Sequence, residues 1–246
     1  MRRAATEAAG FLLPPACESC LRLSERRRWI CESCLVQLQR IERAPACEQC
    51  GYPLALWGDP CPQCLGRGRR PLRSILRLGR YEPPLQGLIH ALKYRGRWTL
   101  ACELAERLLA RPGAQELLEG ADALVPVPLH WRRRWQRGFN QSELLCQRLS
   151  ELMKRPVLPA LRRCRDTPSQ TTLHSVTARL RNLRGAFELQ RGVPVAGARL
   201  VLVDDVLTTG ATLRSAAKVL QRAKAKSLDA MVLAIADPGG RNFEAV

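Results

Sequence analysis

The sequence predicts an α/β fold, a parallel sheet flanked by helices, with a small cysteine-rich module ahead of it. Three observations carry that reading. Apolar runs of strand length alternate with helix-period segments through most of the chain, the order expected of a parallel sheet. Eight of the eleven cysteines fall into four C-x-x-C pairs between residues 17 and 64. A chain of 246 residues that is 46% hydrophobic is long enough for one core of ordinary size plus an appended module. The division expected is 1–70 and 71–246, with Gly66 to Pro71, carrying Arg67, Arg69 and Arg70, as linker.

The cysteine pairs are Cys17/Cys20, Cys31/Cys34, Cys47/Cys50 and Cys61/Cys64. Two thiolates separated by two residues fold back onto one ion in a tight knuckle, and a second pair completes the tetrahedral S₄ shell that suits Zn²⁺. Four pairs make two such shells. Ten residues separate Cys20 from Cys31, and ten separate Cys50 from Cys61, which suggests a duplicated ribbon. Sequential pairing and a cross-braced arrangement both satisfy the spacing. Full Cys₄ shells leave no open position, so the zinc expected here is structural. The segment shows few aliphatic residues at regular spacing, and without metal it is expected to unfold separately, sparing the larger domain.

In the larger domain, Ser74 to Leu78 reads as a short strand. Leu85, Leu88, Ile89 and Leu92, then Leu100, Leu104 and Leu108 after the Gly96 break, carry the helical period. Ala121 to Pro128 is a buried strand with an extended exit imposed by Pro126 and Pro128. Arg132 to Asn140 reads as a polar loop, with Ser142 capping the next helix. Pro156 to Leu161 is a further strand, and it opens into about 25 residues rich in Thr, Ser, Gln and Arg, a length that usually marks a functional or disordered loop. Strand Arg199 to Val203, loop Asp204 to Ala211, helix Thr212 to Ala225 and strand Leu228 to Ala236 close the chain as a βαβ unit.

The loop of that unit carries the chemistry. Ligands of open parallel sheets sit outside the carboxyl ends of the strands, where loop amides and helix N-termini converge. The amides from Thr208 through Thr209, Gly210, Ala211 and Thr212, the three threonine hydroxyls and the positive helix end favour a phosphate dianion. Gly210 lets the backbone approach it. Asp204 and Asp205, side by side, suit vicinal ribose hydroxyls and water-bridged Mg²⁺.

An apolar strand, Asp-Asp and Thr-Thr-Gly-x-Thr together resemble the 5-phosphoribosyl 1-diphosphate signature of type I phosphoribosyltransferases. Within that superfamily the chain resembles the ComF/GntX family, because the C-x-x-C array, Leu92-Lys93-Tyr94, Pro126-Val127-Pro128 and Arg137-Gly138-Phe139-Asn140-Gln141 occur in that order. The resemblance covers nearly the whole chain. It implies a type I phosphoribosyltransferase-like domain that binds phosphoribosyl diphosphate with Mg²⁺, and a role in handling single-stranded DNA during DNA uptake, alongside other DNA-uptake proteins. An active transferase acting on an unknown nucleobase or amine is the alternative. The resemblance also places Lys93 near the diphosphate and makes Thr167 to Arg184 the loop that closes over the ligand, with Gln170, Arg179, Arg181 and Asn182 as contacts.

Charge supports an anionic partner: 40 Lys and Arg stand against 22 Asp and Glu, a formal charge of +18. Arg132, Arg133, Arg134 and Arg137 can hold diphosphate through charge-assisted forks, or nucleic-acid phosphates, with Trp131, Trp135 and Phe139 offering faces for bases. The three histidines have no ligand spacing and receive no catalytic role. No run approaches the roughly 18 to 20 apolar residues of a membrane span. The N-terminal apolar stretch is interrupted by Glu7 and ended by Pro14-Pro15, so no membrane insertion and a cytoplasmic location are expected.

Overall fold

The computed structural model describes residues 16–23, 29–65, 71–165 and 185–236. The strands β1 (Ile75–Arg80), β2 (Ala123–Pro126), β5 (Arg199–Leu207) and β6 (Ser227–Ile235) form one parallel sheet in the order β1-β6-β5-β2. Strands β3 (Leu161–Arg163) and β4 (Phe187–Leu189) pair antiparallel beside it. The helices are α1 (Glu32–Arg43), α2 (Leu85–Tyr94), α3 (Leu100–Leu109), α4 (Ala114–Glu119), α5 (Trp131–Arg137), α6 (Gln141–Met153) and α7 (Ala211–Arg222). An α/β sheet with a cysteine module ahead of it is therefore the architecture found.

The period-two geometry of a strand divides the core. Val201 and Val203 on β5 face one layer with Leu85, Leu88, Leu104 and Leu149 of the helices, while Leu200 and Leu202 face the other with Leu213, Ala216 and Leu220 of α7. Both sheet faces are covered, which is why β5 and β6 read as nearly continuous apolar runs.

Several expectations need correction. Arg132 to Asn140 is not a loop: Trp131–Arg137 is helical, and Gly138 ends the turn at φ +81, a left-handed angle that glycine adopts without a Cβ clash. Ser142 does not cap α6. Asn140 does, its side chain accepting from the Ser142 amide while its own Nδ2 donates to Val127 O at 3.1 Å. Between Pro156 and Leu161 only Val157 bridges to Leu124, and the strand proper begins at Leu161. Asp204 and Asp205 lie on β5, in register with β6, rather than in a loop. The helices α1 and α4 and the strand β4 were not anticipated.

The largest correction concerns the cysteine module. It contains α1, whose Leu38 and Ile41 join Cys17, Ile30 and Cys34 in the same buried cluster as Leu78, Leu85, Leu88 and Leu104. The module therefore shares a core with the sheet domain instead of hanging from it. Arg107 pairs with Glu42 at 2.8 Å, Arg97 with Glu18 at 2.9 Å, and Ser19 Oγ donates to Pro84 O at 2.9 Å across the same seam. Gly87 on α2 marks a close approach of backbone: a Cβ there would meet the Ser19 carbonyl oxygen at 2.6 Å. Helix propensity alone favours Ala over Gly by about 1 kcal/mol, but here the obstacle is backbone. Gly87→Ala is therefore expected to destabilise the zinc-loaded chain by about 1 to 3 kcal/mol in urea unfolding. A gain in stability would show that the knuckle does not seat on α2.

Candidate functional site

The eight cysteines collect into two clusters, Cys17, Cys20, Cys31 and Cys34 in one and Cys47, Cys50, Cys61 and Cys64 in the other, with ligand atoms within 4.8 Å of one another in each. Pairing is thus sequential. The separations Cys20 to Cys31 of 3.8 Å, Cys50 to Cys61 of 3.6 Å and Cys47 to Cys64 of 3.5 Å are far too long for disulfides. They fit a tetrahedron instead, since Zn–S bonds of about 2.3 Å place sulfur atoms about 3.8 Å apart. Backbone geometry supports the clusters. The Cys17 carbonyl accepts from the Leu21 amide, the Cys47 carbonyl accepts from the Gly51 amide, and Gly51 is left-handed at φ +70. The hydrogen bond between Cys47 and Cys50 draws the Cys47 thiol down to about 4 and, with burial, pushes the Cys50 thiol up. Donor type, number and spacing are consistent with two structural zinc sites.

The second site is a cleft of about 180 Å³ at the carboxyl end of β5. Asp204, Asp205, Thr208 and Thr212 line it together with the cations Lys93, Arg133, Arg137 and Arg163. These are residues from four separated segments of the sequence. Lys93, at the end of α2, makes a 2.9 Å ion pair with Asp205, and both side chains are largely buried. Asp204 Oδ1 accepts from Ser142 Oγ at 3.3 Å and from the Asp205 amide at 2.9 Å. Burial, reinforced by the Asp205 carboxylate, pushes the Asp204 carboxyl up to about 7, against the opposing pull of the Asp205 amide, Lys93 and Ser142.

Gly210 stands at the start of α7 with φ +74, and no side chain caps that helix end. Thr209, next to the lining residue Thr208, is fully buried, and its Oγ1 has no partner among the described residues. These features fit an anionic ligand. The acid pair forms no three-ligand cluster among the described residues, so Mg²⁺ would rely on ligand oxygens and water, as this ion usually does.

Helix α5 separates the four arginines. Residues four apart share a helix face and residues two apart lie on nearly opposite faces, so Arg133 and Arg137 turn toward the cleft, partly buried, while Trp131 and Trp135 are 65% and 85% exposed. Arg137 stacks 4.9 Å over Tyr94 and donates to its hydroxyl at 3.2 Å. Arg134 is taken by Glu143 at 2.6 Å, and Arg132 stacks 5.3 Å over Trp131. Neither lines the cleft. Phe139 packs against the core. Tyr81, Tyr94 and Arg163 line the cleft without having been anticipated. Tyr94 adjoins Lys93 in a segment already singled out, whereas nothing in the local sequence distinguishes Arg163. Gln170, Arg179, Arg181 and Asn182 lie outside the described residues, as do Arg67, Arg69 and Arg70 of the linker.

Residues 8–65 match the double zinc ribbon domain family, and residues 160–244 match the phosphoribosyl transferase domain family. The DNA utilization protein YhgH of Salmonella typhimurium is 38% identical over 219 residues, covering 85% of this chain and 92% of that protein. The chain belongs to the ComF/YhgH family. Competence protein F of Haemophilus influenzae is 34% identical over 200 residues, covering 78% of this chain and 84% of that one. Competence protein ComFC of Bacillus subtilis is 27% identical over 210 residues, covering 83% of each. As a ComF/YhgH member the chain joins a double ribbon to a phosphoribosyltransferase domain, and its sheet also recruits β1 and β2 from before residue 160. No helix among the described residues is long and apolar enough to cross a membrane.

Proposed function

We propose that the cleft binds 5-phosphoribosyl 1-diphosphate with Mg²⁺ and that the protein handles single-stranded DNA in the cytoplasm, working with DNA-uptake proteins. The observation that carries this reading is the composition of one cleft: an acid pair and the threonines that flank a helix start, together with four cations, Lys93, Arg133, Arg137 and Arg163. In this reading the 5-phosphate takes the amides of Thr208 to Thr212 and the Thr209 hydroxyl, the ribose hydroxyls donate to Asp204 and Asp205, and the diphosphate lies toward Arg133 and Arg137. Lys93 would exchange its Asp205 partner for the diphosphate. The names of the relatives, DNA utilization and competence proteins, support a nucleic-acid partner. The exposed Trp131 and Trp135 supply stacking surfaces on the side of α5 turned away from the cleft.

Titration calorimetry with phosphoribosyl diphosphate and Mg²⁺, with and without single-stranded DNA, tests both halves. Saturable binding of both, without diphosphate release, is expected. Release of diphosphate with an added nucleobase or amine would instead establish a transferase, and no binding at all would overturn the cleft assignment.

For the strand, the logarithm of affinity is expected to fall linearly with that of salt, at about −0.7 per contacted phosphate. Arg132→Gln and Arg134→Gln together, which leave the cleft residues Arg133 and Arg137 intact, should flatten that slope. Trp135→Ala should weaken binding by about 1 to 3 kcal/mol and leave the slope nearly intact, because stacking releases no counterions. A full slope in the arginine variant would place the strand elsewhere.

A further inference from the structure

A cavity of about 500 Å³ lies in the seam between the second ribbon and the outer edge of the sheet, away from the cleft. Strand β1 is an edge strand, and Arg77 on it points into the seam. Arg77 is only 3% exposed. Its Nη2 donates to Pro45 O at 3.0 Å, but Nε and Nη1 have no partner. Arg111, which lines the same cavity, gives one guanidinium nitrogen to the Glu42 carbonyl oxygen while its Nε is likewise buried and unpartnered. Burial, and after it the charge of Arg111, lowers the affinity of Arg77 for its proton.

Other charges at the cavity do not resolve this. Arg73 is committed to Asp229 through contacts of 2.8 and 3.1 Å, and the Glu42 carboxylate is held by Arg107. Glu48 sits exposed at the rim. Two cations lining one cavity with unmade donors, and no carboxylate bonded to either among the described residues, make an arrangement that a bidentate anion completes. Trp57 lines the same cavity and is 53% exposed, leaving a face available to a planar ring. The volume falls in the range of a small-molecule site.

We propose that this seam is a nucleotide site, in which Arg77 and Arg111 bind a phosphate and Trp57 stacks on the base. The site is independent of the phosphoribosyl diphosphate cleft. A free mononucleotide and one residue of a single strand present the same chemistry to it. Its rival is a purely structural role, in which the guanidiniums balance the thiolates of the second cysteine cluster, since the Cys50 charge reaches Arg77.

Photolabelling separates these outcomes. The zinc-loaded full chain is irradiated with 5-iodo-2′-deoxyuridine 5′-monophosphate, or with an oligonucleotide carrying the same base, and labelled peptides are mapped. Label at Trp57, blocked by excess inorganic phosphate and absent with the unphosphorylated nucleoside, is expected. Label from the oligonucleotide alone would identify the source as a strand, and label from both would admit the free nucleotide. Either result upholds the site. Arg77 is left intact because it is interior, and Arg111→Lys is the test variant: it keeps the charge but loses the fork. About tenfold weaker labelling with two zinc ions retained is expected, the loss of one charged hydrogen bond. No label at Trp57 from either probe, or labelling unchanged in Arg111→Lys, would overturn the proposal. So would an Arg111→Gln chain that drops to one zinc while Arg111→Lys restores both zinc and full labelling.

Discussion

Removal of metal is expected to destabilise the whole chain, with purified protein first yielding two zinc ions. A structural Zn²⁺ site contributes an apparent 10 to 16 kcal/mol at about neutral pH, which equals or exceeds the roughly 5 to 15 kcal/mol net stability of an ordinary domain. The two clusters therefore cannot keep their geometry without the ion. The effect on the rest of the molecule depends on packing. Cys17, Ile30, Cys34, Leu38 and Ile41 are buried against Leu78, Leu85, Leu88 and Leu104, so loss of the first ribbon uncovers the outer face of α2 and α3. At about 1.5 to 3 kcal/mol for each large apolar side chain fully buried, exposure of Leu38 and Ile41 alone is worth several kcal/mol. For a domain of this size that corresponds to a fall in Tm of about 10 °C or more. Chelation followed by calorimetry and dye binding checks it: a single broadened transition at lower temperature, with exposed apolar surface, is expected. A sheet domain melting at its original temperature after both ribbons unfold would mean that the shared core contributes little.

How far the sequence foretold this arrangement depends on the range of the interaction in question. The cysteine clusters and the β5-loop-α7 unit were legible because their chemistry is local: a knuckle needs two residues between thiols, and a phosphate loop needs a strand end, a glycine and a helix start within nine residues. The docking of the first ribbon was not legible. Leu35, Leu38 and Ile41 do carry a helical period, but a three-residue stripe gains its meaning only from partners such as Gly79 and Leu85, distant in sequence. Helix α5 was missed for a related reason. Arginine and tryptophan tolerate helix without requiring it, and its ends are set by extended His130 and left-handed Gly138 rather than by a capping side chain. Its consequence for the site is larger than its length suggests, because helical geometry turns Arg133 and Arg137 inward and Trp131 and Trp135 outward. A loop would have left both tasks to the same surface.

Asp204→Asn is expected to raise stability at neutral pH while lowering affinity for phosphoribosyl diphosphate, a division that only a strained ligand carboxylate produces. Asp204 lines the cleft with its carboxyl raised to about 7 by burial and by Asp205. An unfolded aspartate titrates near 3.9. Between those values the folded chain holds more protons than the unfolded one, so its stability falls as pH rises from about 4 to about 7 and then levels. At pH 7.5 the ionised group is a net liability, and the neutral amide removes it, for an expected gain of about 1 to 3 kcal/mol and a Tm increase of a few degrees. The decline in stability between pH 5 and 7 should vanish in the variant. Ligand reverses the balance, because ribose hydroxyls and a nearby cation favour the ionised form; binding near pH 7 should therefore release a proton, seen as heats that vary with buffer ionisation enthalpy. Asparagine keeps one acceptor but no charge, so affinity is expected to fall by about 1 to 3 kcal/mol, and by about 2 to 4 kcal/mol when Asp205→Asn is added. Asp205 should contribute differently, since its removal leaves Lys93 without its 2.9 Å partner and brings no gain in stability. A wild-type chain whose stability is flat from pH 4 to 7 would show that Asp204 ionises freely. Unchanged affinity in a folded double variant would move the ribose away from this acid pair.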